Sequence, residues 1–391
     1  MNAKLRAWWF QKQGLHGFIG SPLDALSRSG WARAVGGSNP YLTLFSRVQA
    51  SRETAERAVS EMEVHELPCA RGCTYLVPRE DFGLALKVGQ GTGEQAAINT
   101  AVRHLGVTNE ELEKLESAVY EAVAKGALEP REIREAVGDL ARNLGDEGKK
   151  RGQTTTLPLA LGRLQSHGYI RRIAINGRLD TERFRYGVWS PNPLAAFTHT
   201  KEEALVQLAT KFWRWIGPAR IRDFQWFAGL GVGAAKKATE TLDLAVAEDD
   251  FLILRDEQQA FARFEAPESP AYALVSAIDS ILLLRRDAAS LVDRADLEQE
   301  MRSDRGLIKV GGIQDLSHNA ILDRGRLIGL WEFDPEAGEI AYKLFRPADD
   351  ALIEAIGKTE GFIREQLGDA RSFSLDSPKS RKAAIAFLRG D

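Results

Sequence analysis

The 391-residue chain is poor in three things. It has two cysteines, Cys69 and Cys73, which excludes a disulfide-stapled secreted scaffold. It has no run of about 18 apolar residues, so no transmembrane helix is expected and no membrane partner. It has little surplus of either charge: 52 Lys and Arg stand against 55 Asp and Glu, a net −3. A wholly basic polyanion binder is thereby excluded. A local basic face is not, because net charge averages over domains. The first residues, MNAKLR, carry charge with no apolar stretch or cleavage site behind them, so the expected location is cytoplasmic. What is present is ordinary for a globular protein, 44% hydrophobic and 27% charged, and needs no metal or cofactor to hold a core.

Hydrophobic spacing predicts helices over 2–15, 52–62 and 109–124, the last with Leu112, Leu115, Val119 and Ala122 on one face. Residues 145–152 read as a polar loop. Gln153 to Thr156 can then cap a helix ending at Gly168. Strands follow at 169–175 and 184–189, with the turn signal Asn176-Gly177 between them. Helices followed by a hairpin are the order of a winged helix. The order recurs: helices at 201–216, 221–228 and 234–244, a glycine-bearing turn at 229–233, and wing strands expected at 251–254 and 260–264. After Pro267 short strands are expected at 281–284, 307–310, 320–322, 327–333 and 340–345, then a helix over 348–367.

Between Arg142 and Arg185 there are ten basic and four acidic residues. An excess of six in a chain of net −3 marks one basic segment. In a winged helix the third helix enters the major groove and the wing reaches phosphates. The expected DNA contacts are Thr154, Thr155, Thr156, Arg163, Arg171, Arg172, Arg178 and Arg183, with Lys236 and Lys237 as a weaker second copy. The plainer reading of such a run is a solvated charged face.

Other clusters carry less. His65, Cys69 and Cys73 have helical-looking spacing, but no fourth ligand lies near and Pro68 interrupts, so no metal is expected. Gly89, Gly91 and Gly93 lack the strand and the Gly-Lys-Ser of a phosphate loop. Trp213, Trp215, Trp226 and Phe227 read as core. Asp279, just before an apolar run, reads as a turn cap or a site residue.

Several stretches together resemble the AlkZ/YcaQ superfamily of tandem winged-helix DNA glycosylases. They are Gln13-Gly14-Leu15, NPYLTLFSR (39–47), VPREDF (77–82), Gly217-Pro218, SAIDS (276–280) and GRLIG (325–329). The resemblance implies action on alkylated or crosslinked bases in duplex DNA. It also implies a catalytic Gln-x-Gln or Gln-x-Asp some ten residues before the Pro-Tyr-Leu stretch. Counting back reaches Ser29-Gly30-Trp31 instead. The literal Gln11-Lys12-Gln13 lies in the first helix and reads as a decoy. Cleaving an N-glycosidic bond builds positive charge on the sugar and needs an oriented water. Trp31 cannot supply that, although it could wedge into or stack on bases, and Ser29 is a weak electrostatic substitute. Asn39, Glu66, Asp81 and Asp279 are the replacement candidates.

The expected fold is α+β, with tandem winged-helix (helix-turn-helix) domains and a small β-rich C-terminal domain. The expected spans are 1–92, 93–196, 197–266 and 267–391. The expected protein is a monomer without cofactor that binds double-stranded DNA as a repair glycosylase. The alternatives are a non-catalytic regulator or lesion sensor, or winged helices that pack only on other proteins.

Overall fold

The computed structural model describes residues 2–17, 20–303 and 305–390. It is mixed, 49% helical and 18% strand, which makes it an α+β fold. The chain forms two compact units. One comprises Met1–Val64, Leu179–Thr181 and Val206–Asp391; the other comprises His65–Arg178 and Glu182–Leu205.

In the second unit the helix Asn109–Ala124 forms as expected. Thr108 and Glu111 close a capping box at its start. Its Leu115, Val119 and Val123 pack on Ile133, Leu157, Leu161, Leu164, Ile170 and Tyr186. The expected loop at 145–152 is instead a short helix, Gly145–Lys150. Its acidic first turn and basic last turn suit the helix dipole, and Lys149–Asp146 and Lys150–Glu147 pair one turn apart. A Cβ at Gly148 would come 2.2 Å from the Gln153 carbonyl, so only glycine fits there. The helix Leu157–Ser166 follows, but Thr156 at its cap position makes no side-chain cap bond. It leads into the antiparallel hairpin Ile170–Ala174 and Phe184–Val188, with Arg171 opposite Gly187 and Arg172 opposite Tyr186.

In the first unit the helix Ala3–Lys12 buries Leu5 to Phe10. Trp8 and Trp9 donate their indole N–H groups to the carbonyls of Gly217 and Pro218, each at 2.9 Å. This ties down the break between the helices Lys201–Ile216 and Ile221–Ala228. Gly229 ends the latter with φ 68°, a left-handed cap that glycine takes without strain. The helix Val232–Thr239 comes next. The wing strand expected at 260–264 does not form. Phe251–Leu254 pairs backwards with Leu244–Glu248, and Arg255–Arg263 is a helix that buries only Phe261. Asp256 and Glu257 in its first turn favour that start.

The four-stranded antiparallel sheet of this unit runs in the order Tyr272–Val275, Asn319–Asp323, Arg326–Asp334, Glu339–Leu344. The expected strand at 281–284 is the helical turn Ser280–Leu283. Asp279 accepts the Ile281 N–H at 3.0 Å and starts the turn. The helices Asp350–Phe362 and Pro378–Arg389 close the chain. Among the described residues no helix is long and apolar enough to cross a membrane.

Candidate functional site

The first unit holds a buried polar network. The helix Asn39–Val48 is apolar on its packed face except for Asn39, Thr43 and Arg47, one turn apart along it. Arg47 and Asp279 are both fully buried. Arg47 donates to the two carboxylate oxygens of Asp279 at 2.9 and 2.8 Å. It also donates to the Gln13 side-chain oxygen at 3.0 Å. Gln13 in turn accepts from the Ser280 hydroxyl at 2.8 Å and donates to the Ser29 and Trp215 carbonyls, each at 2.9 Å. Thr43 lies 3.3 Å from Asp279 and 3.4 Å from the Asn39 side-chain oxygen.

Three of the six catalytic candidates, Ser29, Asn39 and Asp279, therefore meet in one network. Its geometry is that of a scaffold. The Ser29 hydroxyl donates back to the Ala25 carbonyl at 2.8 Å within its helix. The Asn39 amide donates to the Arg33 carbonyl at 2.8 Å. Trp31 is 1% exposed, with ring centroids 5.4 Å from Trp215 and 6.4 Å from Phe227, so the ring offers no face to a base. Trp213, Trp215 and Phe227 are buried in the same aromatic core. Gln13 is a buried hub, and Gln11 is exposed. Sequence reading missed Arg47 and Thr43; the signal was a lone arginine in an otherwise uncharged helix.

The second unit holds a different constellation. His65 and Glu66 are neighbours on the strand Val64–Pro68, whose side chains alternate between faces. His65 is buried, 5.2 Å from the Trp189 ring and 6.3 Å from Phe82. Neither of its ring nitrogens has a hydrogen-bond partner. Burial, reinforced by Arg171 and Arg172, pushes its pKa down to about 3. The half-buried Glu66 is pushed up to about 8, by burial first and by Glu182 in addition, while Arg172 pulls the other way. The Arg172 guanidinium lies 5.1 Å from the Phe184 ring centroid, and its Nε is buried without a partner. Asp81 is buried at the start of the helix Phe82–Gly89. Cys69 and Cys73 lie at the turn that follows the strand, where the Cys69 N–H donates to the Cys73 carbonyl at 2.8 Å.

The basic segment is more neutral in space than in sequence. Arg142 pairs with Glu111 at 2.8 Å, and Arg163 pairs with Glu116. Both glutamates lie outside the basic window. Thr155 and Thr156 are buried, and the Thr156 hydroxyl has no partner; Thr154 is exposed. Arg171 and Arg172 are half-buried and Arg185 exposed on the hairpin, where Arg178 and Arg183 also lie. Lys236 and Lys237 are exposed on the helix Val232–Thr239 of the other unit.

No curated protein sequence matches this chain. Among solved structures the chain is similar to the Streptomyces sahachiroi DNA glycosylase AlkZ, with a TM-score of 0.68 at 17% identity, covering 94% of this chain and 97% of that one. At that identity the likeness shows a shared fold. The family model described as DNA glycosylase AlkZ-like matches residues 32–366, and with most of its length so matched the chain belongs to the AlkZ-like DNA glycosylase family.

Proposed function

We propose that this protein binds damaged duplex DNA and hydrolyses the N-glycosidic bond of a modified base. Family membership carries this reading. The helices and hairpin within 93–196, and again within 197–266, are read as winged helices. The second-unit hairpin acts as the wing that meets phosphates, through Arg171, Arg178, Arg183 and Arg185.

Glu66 is the proposed catalytic group. A base buried in a duplex must be flipped out before its glycosidic bond can be reached. Cleavage sends the bonding electron pair to the departing base, and a proton donor eases that step for an uncharged base. A carboxyl held up to about 8 is protonated at neutral pH and near the range in which general acids work best. Glu66 gives its proton to the leaving nitrogen. The resulting carboxylate, favoured by Arg172, then takes a proton from the water whose oxygen bonds to the sugar carbon. Proton and charge are back where they began.

Duplexes carrying alkylated or crosslinked bases test this, with released base measured by chromatography and binding measured against salt. Release of an uncharged modified base that is lost in Glu66→Gln, with binding retained, is the expected result. Tight, salt-sensitive binding without release from any lesion would leave a non-catalytic sensor. A flat salt dependence would sink both DNA readings.

A further inference from the structure

The second unit also carries a face that phosphates would avoid. A groove of about 560 Å³ runs between the helix Asn109–Ala124 and the end of the helix Leu157–Ser166, lined by Glu113, Glu116, Glu121, Tyr120, Leu164 and Tyr169. Tyr120 is 38% and Tyr169 51% exposed. Their rings meet edge to face, with centroids 6.3 Å apart at 82°. Two large rings in water beside a leucine form an apolar floor that single scattered surface residues do not.

The rim is acidic and only partly neutralised. Of the lining carboxylates, Glu116 is held by Arg163; Glu110 and Glu111, earlier on the same helix, are held by Lys114 at 2.7 Å and Arg142 at 2.8 Å. Among the described residues no lysine or arginine pairs with Glu113 or Glu121, and both are exposed. Arg163 shows what the groove does with a guanidinium. One from the chain's own core edge already sits against Glu116 with both side chains mostly buried, at 18% and 17% exposure. The free carboxylates and the open ring faces repeat that environment for a cation from outside.

We propose that this groove docks an arginine-bearing segment of another protein. A guanidinium stacks on a tyrosine face and engages a carboxylate through two parallel N–H groups at once, which an ammonium cannot do. The bound segment lays an arginine against Tyr120 or Tyr169 and a second charge against Glu113 or Glu121. DNA is excluded from this face by like charge. The protein can therefore hold a basic partner here while the arginines of the hairpin remain available. The proposal is independent of catalysis, since its docking residues, Tyr120, Tyr169, Glu113 and Glu121, are assigned neither to the reaction nor to the hairpin's phosphate contacts.

The test uses the full chain and fluorescence anisotropy with labelled Gly/Ser peptides carrying spaced arginines, lysines or glutamates. The arginine peptide is expected to bind, the lysine peptide to bind more weakly, and the glutamate peptide not at all. Tyr120→Ala with Tyr169→Ala should weaken arginine-peptide binding by about tenfold, the scale of one or two cation–aromatic contacts. Tyr→Phe at both sites should retain it. Glu113→Gln with Glu121→Gln lies on an exposed helix face and leaves the fold intact, so it tests the charge if the alanine pair fails to fold; it should weaken binding too. Equal affinity for lysine and arginine peptides would mean a merely acidic surface and overturn the proposal. So would loss on charge removal with no effect of the ring substitutions, or no binding at all.

Discussion

Arg47 grips both carboxylate oxygens of Asp279, 232 residues further along the chain, at 2.9 and 2.8 Å with neither side chain reachable by water. A buried pair of this kind gains little over a well-packed apolar pair, because both charges lost their water. Breaking it is another matter, since the survivor stays buried and uncompensated. Arg47→Met is expected to cost about 3–5 kcal/mol. Asp279→Asn, which keeps the cap geometry for Ile281, should cost less than Asp279→Ala. Chemical denaturation checks both.

Gln11 and Gln13 should behave oppositely. Gln11 is exposed, and Gln11→Ala should leave stability and any base release unchanged. Gln13 makes four buried hydrogen bonds, two as donor and two as acceptor. Gln13→Ala strands partners among them at about 1–3 kcal/mol each. Lost activity in Gln13→Ala therefore counts for catalysis only if its melting temperature holds. If Gln11→Ala alone abolished base release, the decoy reading of this motif would be wrong.

Much of the fold was legible because periodicity and punctuation speak plainly. The helix Asn109–Ala124 could be read from its apolar stripe, and the hairpin connection from Asn176-Gly177, where Gly177 sits at φ 74°. The errors have local causes. Ile281 to Leu284 is apolar enough for a strand, but Asp279 caps the N-terminal end and makes it a helical turn. Asp256 and Glu257 similarly start a helix where a second wing strand was expected. The partner of Phe251–Leu254 was misassigned although it lies just across the turn Asp249-Asp250, where Asp249 takes φ 48°, because Leu244–Glu248 looks unremarkable on its own.

The candidate site was legible only as a list. Asn39, Ser29 and Asp279 were named without any sign that Gln13, Thr43 and Arg47 bind them into one scaffold. Glu66 was named without its raised pKa, which depends on burial and on Arg172 and Glu182, more than 100 residues away. The basic excess was read correctly as a count but not as a field, because Glu111 and Glu116 neutralise Arg142 and Arg163 from a preceding helix.

That neutralisation makes a prediction about salt. A cation that meets a phosphate releases counterions, contributing about 0.9 to the slope of log K against log salt on duplex DNA. Arg185→Ala should reduce the slope by about that amount. Arg163→Ala should leave it unchanged, because its charge is already held by Glu116. Equal effects of the two would return Arg163 to the DNA face.

The chemistry assigned to Glu66 has a pH signature. Its acid form disappears as pH rises through about 8, so base release limited by that proton should fall above this value. Glu66→Gln cannot deliver the proton, and should lose roughly 10²–10⁴-fold in rate, the usual range for a general acid. An N7-alkylated purine leaves as a neutral base without added protonation. Its release should therefore be much less sensitive to pH and to Glu66→Gln than release of an uncharged modified base. Equal losses on both substrates would count against the acid role.

His65 and Glu66 each tie the stability of their unit to pH, in opposite directions. Unfolded, the histidine titrates near 6.5 and the glutamate near 4.5; folded, they move to about 3 and about 8. Between 4.5 and 6.5 the unfolded chain carries one proton on His65 and the native protein carries one on Glu66. The counts are equal, so this pair contributes no slope there. Below 4.5 the unfolded chain holds two protons against one, and stability falls until the folded His65 titrates near 3. Above 6.5 the unfolded chain holds none against one, and stability falls until Glu66 ionises near 8. Glu66→Gln removes the alkaline fall and extends the acid fall up to 6.5. His65→Leu removes the acid fall and starts the alkaline one at 4.5. Melting temperatures of the two variants across this range should cross. Parallel curves would show that the two neighbours are not held in these opposite protonation states.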